Sequence, residues 1–137
     1  MAGEKLFENQ IKRWFHSVGV YSAGFPSDKM TVDPVGWYFK EWGGGMSRSG
    51  IPDIIACING FMFGIEVKAS RGRPSELQKL NVLRINQAGG MGIILYPEGF
   101  EVFKKLIEEV IDCSGHTAEL KRLKNANSNT KCIILMG

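Results

Sequence analysis

The sequence predicts an α/β fold, an α+β arrangement with a mixed sheet, in the order helix–strand–hairpin–helix–strand–helix. Three observations predict it. Phe7, Ile11, Trp14, Phe15 and Val18 recur at helical spacing near the N-terminus. Asn59-Gly60 stands between two apolar runs, the strongest short-range signal of a two-residue hairpin. A capped helix then separates that hairpin from a further apolar run, which implies a right-handed parallel crossover.

Residues 4–18 form the first expected helix, with Gly19 as its stop. Residues 21–35 read as a loop insertion, because Gly24, Pro26, Ser27, Asp28, Asp33 and Pro34 disfavour regular structure. Gly36 to Trp42 is aromatic-rich and suits a strand. Gly43 to Gly50 is a glycine- and serine-rich connection carrying Arg48. Ile51 to Ile58 and Phe61 to Lys68 are the arms of the hairpin.

A basic turn follows, from Ala69 to Pro74. Ser75-Glu76-Leu77-Gln78 then fits a capping box, and Gly89-Gly90 ends the helix that it starts. Met91 to Tyr96 suits a buried strand bounded by Pro97, and Phe100 to Ile111 is a second amphipathic helix. Residues 1–112 are therefore read as one core. Residues 113–137 are a C-terminal extension whose apolar Cys132 to Met136 run is expected to join a sheet edge or a partner subunit, since it is an aggregation hazard if bare.

Composition narrows the function. The chain has 137 residues, 44% of them apolar and 23% charged, as in an ordinary globular domain. No apolar stretch is long enough for a membrane span, and no secretory signal opens the sequence, so a cytoplasmic setting is expected. Three cysteines without metal-ligand spacing read as reduced and mostly buried. Two histidines give poor support to zinc or histidine-based chemistry, and no phosphate-cradling loop or dinucleotide fingerprint is present, so no nucleotide cofactor is expected. A net charge of +3 permits nucleic-acid binding without arguing for it.

The hairpin carries the chemistry. A two-residue loop pairs Ile58 with Phe61 and, working outward, Asp53 with Glu66, whose Cβ atoms should lie roughly 4.5–5.5 Å apart on one face. Lys68 shares that face, while Ile54, Ala56, Ile58, Phe61, Phe63, Ile65 and Val67 take the other. Facing carboxylates repel unless a cation or a shared proton lies between them. A hard divalent ion with oxygen ligands, such as magnesium, suits two carboxylates, a backbone carbonyl and water. The plainer reading makes Asp53 a strand-entry turn residue and Glu66–Lys68 a surface pair, but it leaves the opposed acids unexplained.

Glu8 lies beside the apolar stripe of the first helix, suited either to an internal metal site or to the helix dipole. Gly64 is expected to leave room for a substrate backbone. Arg48, Arg71, Arg73, Lys79 and Arg84 are candidate phosphate contacts, each with the ordinary alternative of a solvated surface charge.

Ser49-Gly50-Ile51-Pro52-Asp53, Glu66-Val67-Lys68 and Ser75-Glu76-Leu77-Gln78, followed by Ala88-Gly89-Gly90, together resemble the PD-(D/E)XK nuclease superfamily. Within it the chain is similar to the small stand-alone VRR-NUC-type enzymes of phages and bacteria, over roughly residues 4–104. The resemblance implies a restriction-endonuclease-like core and a metal-dependent endonuclease acting on DNA, with magnesium or manganese as cofactor. Asp53, Glu66 and the Val67 carbonyl would hold the metal, and Glu8 matches an N-terminal-helix acid that relatives place nearby. Lys68 would orient or deprotonate water or offset charge on the phosphate, and Gln78 would hold Lys68 or the nucleophile.

The resemblance further implies cleavage selective for branched, Holliday-junction-like structure or with little sequence preference. It also implies a homodimer in a bacterial or phage-infected cell. The alternative is a non-catalytic nucleic-acid-binding or assembly module on the same scaffold.

Overall fold

The computed structural model describes residues 2–40, 50–113 and 132–134. In chain order the elements are α1 (Ala2–Ser17), β1 (Val20–Ser22), β2 (Gly36–Lys40), β3 (Ile54–Ile58), β4 (Phe61–Val67), α2 (Glu76–Gln87), β5 (Met91–Leu95), α3 (Phe100–Asp112) and β6 (Cys132–Ile134). The strands form one mixed sheet in sequence order. β1 runs parallel to β2, β2–β3 and β3–β4 are antiparallel, β4 is parallel to β5, and β6 returns antiparallel. The mixed α/β class and the parallel crossover through α2 are thus as the sequence predicts.

Asn59 and Gly60 both take positive φ, 50° and 85°, which a right-twisted two-residue hairpin requires. The register follows, with Ile58 opposite Phe61 and Ile54 opposite Ile65. Asn59 has a further task. Its Nδ2 donates to the carbonyls of Val110, Ile111 and Cys113, so the turn also caps the last turn of α3.

Alternation separates the two faces of the sheet. Phe63, Ile65 and Val67 of β4, with Ile54, Ala56 and Ile58 of β3, pack against Phe7, Ile11 and Phe15 of α1 and Phe103, Leu106, Ile107 and Val110 of α3. The other face meets α2, where Val82 packs with Ile94 and Tyr96. Gly92 permits that approach, because a Cβ there would collide with the Val82 carbonyl. Asn86 fixes it: its Nδ2 donates to Gly92 O and its Oδ1 accepts from Gly92 N.

Four expectations are corrected or narrowed. Residues 21–35 are not all loop, because Tyr21 and Ser22 belong to β1, which starts at Val20 and adds a parallel edge strand. Three residues are too few to show alternation, and β1 is defined by its distant partner. β2 is described over Gly36–Lys40, and residues 41–49, which include the last two of the expected strand and Arg48, lie outside the described residues. Cys57 is exposed, not buried, since it points away from the α1–α3 core. Of the two places suggested for the tail, β6 takes the sheet edge beside β5. No helix among the described residues is long and apolar enough to cross a membrane.

Candidate metal centre

Glu66 lies in β4 between the core-facing Ile65 and Val67, so alternation turns its carboxylate toward α2. It is 2% exposed. Asp53 immediately precedes β3, and the hairpin register carries it across from Glu66. Asp53 is near enough for its charge to act on the Glu66 carboxyl. Asp53 Oδ2 also accepts from the Val67 amide at 2.8 Å, which ties it to the strand that bears Glu66.

Lys68 brings its Nζ to 3.3 Å from Glu66 Oε2 and is itself largely buried. The same oxygen accepts from Gln78 Nε2 at 2.9 Å. Gln78 can do this because it is the third residue of α2 and closes the capping box. Its Oε1 accepts from the Ser75 amide while the Ser75 hydroxyl accepts from the Gln78 amide. One side-chain amide therefore starts α2 with its oxygen and holds Glu66 with its nitrogen. The expected partner, Lys68 or a nucleophile, is replaced by Glu66.

Glu66 Oε1 is buried and, among the described residues, has no hydrogen-bond partner. Burial first, and then the Asp53 charge, push the Glu66 carboxyl up from its usual 4.5 to about 8, against the opposing pull of Lys68. Two close acids with one bare buried oxygen are a donor set that a hard divalent cation fits. Among the described residues no third Asp, Glu, His or Cys joins them in a metal-binding group. Water and backbone oxygens would complete any such shell.

Glu8 is placed elsewhere, among lysines rather than beside the acid pair where the resemblance would put it. It is 3% exposed and surrounded by lysines: Lys40 at 3.1 Å, Lys12 at 3.2 Å and Lys5 at 3.7 Å. Lys40 is paired with Ile54 in the sheet and points toward the α1–α3 side, opposite to Glu66. Lys12 sits four residues after Glu8 on α1, a signal visible in the sequence, whereas Lys40 arrives only through tertiary packing. Gly64 also differs from expectation. A Cβ there would lie 2.5 Å from Ile85 and 3.2 Å from Pro52, so protein fills the space expected for substrate.

Arg71, Arg73 and Lys79 do come together. With Ser70, Glu76 and Tyr96 they line an open groove of about 710 Å³, just past Lys68 and beside the start of α2. Lys79 pairs there with Glu76 at 3.2 Å. Arg84 is exposed further along α2 and does not line this groove.

No protein-family model, curated protein or solved structure matches the chain. The geometry alone therefore offers an acid pair with Glu66 buried, an adjacent ammonium group and a basic groove beside them.

Proposed function

We propose that this chain is a magnesium- or manganese-dependent nuclease that hydrolyses DNA phosphodiesters on a restriction-endonuclease-like core similar to PD-(D/E)XK enzymes. One observation carries the reading. Among the described residues, one oxygen of the buried Glu66 has no hydrogen-bond partner, while a lysine stands at 3.3 Å from the other. Glu8 also has a buried oxygen without a hydrogen bond among the described residues, but lysines surround it, whereas Glu66 faces a second acid whose charge only a cation or a proton would offset.

When bound, the ion supplies Lewis-acid polarisation of the phosphate and a water of lowered pKa. The chain supplies the rest. Asp53 and Glu66 hold the ion, Asp53 braced by the Val67 amide and Glu66 by Gln78. Lys68 offers its ammonium group to the attacking water or to the charge that develops on the phosphate. Arg71, Arg73 and Lys79 take neighbouring phosphates in the groove, a contact mode that reads no sequence. Little sequence preference follows from that mode, and selectivity for branched DNA is the form of discrimination proposed with it.

A cleavage panel of branched, nicked, single-stranded and duplex DNA, run with magnesium, manganese and chelator, tests this reading. Metal-dependent cutting is expected on at least one form. Asp53→Asn and Lys68→Ala are each expected to lower the rate by at least about 10²-fold, the scale of one lost electrostatic or acid–base contribution, while leaving DNA binding largely intact. Undiminished cutting by either variant removes the site assignment. Binding without cutting on every form replaces the nuclease with a nucleic-acid-binding module on the same scaffold.

A further inference from the structure

A second concave surface lies across the sheet from Glu66, between α1 and the β1–β2 edge. Lys12, His16, Ser22, Tyr38 and Lys40 contribute to a groove of about 400 Å³. Its basic groups are held in place. Glu8 pairs with both Lys12 and Lys40, whose side chains are only 26% and 20% exposed. His16 Nε2 and the Tyr38 hydroxyl form a hydrogen bond of 3.0 Å.

Among the described residues the charges here do not balance. Two recessed ammonium groups share one carboxylate, and Lys5 adds a third at 3.7 Å from the outside. Burying like charges costs free energy, and an anion in the groove would offset it. His16 senses the same surplus: its pKa is lowered first by burial and then by Lys12. Among the described residues the Glu8 oxygen nearest Lys12 receives no well-aligned hydrogen bond, so the ammonium protons are not fully committed to it. Such a cluster is preorganised, because Glu8 already holds the lysine side chains that an anion would otherwise have to order.

We propose that this groove is a phosphate-binding subsite separate from the acid pair, with Lys12 and Lys40 as its cations and the Tyr38–His16 pair as its hydrogen-bonding wall. Recessed ammonium groups favour a phosphate that can enter a concavity, at a strand end or on a single-stranded backbone, over one on the convex surface of a duplex. The ligand class is a phosphate ester, and free phosphate shares its chemistry. The subsite does not depend on Asp53 or Glu66, and so stands or falls apart from the nuclease reading.

The test uses the full chain in chelator, with fluorescence anisotropy of a short single-stranded oligonucleotide bearing either a 5′-phosphate or a 5′-hydroxyl. Inorganic phosphate serves as competitor. The phosphorylated strand is expected to bind about tenfold more tightly, the effect of one charge-assisted contact. Lys40→Gln should abolish that preference, Tyr38→Phe should reduce it several-fold, and Asp53→Asn should leave it unchanged.

If the two strands bind alike but Lys40→Gln weakens both, the backbone is the phosphate source and the subsite stands. If only inorganic phosphate binds in a Lys40-dependent way, the subsite serves a free anion. Phosphate and oligonucleotide binding that both ignore Lys40→Gln and Tyr38→Phe overturn it. Thermal melts accompany each variant, and Tyr38→Phe, which keeps the buried ring, decides the matter if Lys40→Gln fails to fold.

Discussion

A carboxylate that is 2% exposed, tied through one oxygen and without a hydrogen bond on the other among the described residues, is costly to keep ionised, and Glu66 is in that position. Without a bound cation the folded chain keeps a proton on Glu66 that the unfolded chain releases near its ordinary 4.5, up to about 8. The raised group therefore contributes stability that is fully present below 4.5 and lost as pH rises to about 8. In chelator, the urea-unfolding free energy should fall across that window by at most about 1.4 kcal/mol per pH unit. Glu66→Gln should flatten the profile, and an unchanged slope in the variant would remove Glu66 as its source. Magnesium needs the ionised acid, so the rise in melting temperature that it produces should grow over the same range.

At the scale of elements, two side chains each join a local motif to a distant one. Asn59 turns the hairpin and caps α3. Asn59→Gly keeps the turn and loses the cap, so it should cost about 1–2 kcal/mol. Asn59→Ala should cost about 1 kcal/mol more, because alanine resists positive φ. Equal melting of the two variants would separate turn strain from their stability. Gln78→Ala removes half of the capping box, at about 1 kcal/mol, and also frees Glu66. Its loss of cleavage should exceed what its loss of stability explains, as single-turnover rates well below the melting temperature would show.

These elements also show what the sequence could reveal. The hairpin, the capping box and the apolar stripes of α1 and α3 are local, and their periods and turn residues are readable in order. The facing of Asp53 and Glu66 followed from a loop of two residues, so it was legible as well. What escaped depends on residues distant in the chain. β1 exists because Gly36, Trp37 and Tyr38 lie beside it, Glu8 is claimed by Lys40 through packing, and Ile85 fills the space over Gly64. No window around Val20, Glu8 or Gly64 contains those partners.

For the molecule as a whole, the sheet divides labour. Its α1–α3 side is the main hydrocarbon core, while the α2 side carries the acid pair and leads to the basic groove. Changes in that groove should thus affect binding more than folding. Arg71→Ala and Arg73→Ala should each weaken DNA binding across sequences and lower the slope of log affinity against log salt by about 1. Slopes equal to wild type would take these arginines out of the contact.

The double duty of Gln78 makes the first turn of α2 a built-in reporter. Fraying there withdraws the amide nitrogen from Glu66, and whatever draws Glu66 toward Asp53 pulls on the same side chain. Hydrogen-exchange protection of the Ser75 and Gln78 amides should accordingly track ion occupancy in solution, giving a readout that needs neither DNA nor turnover.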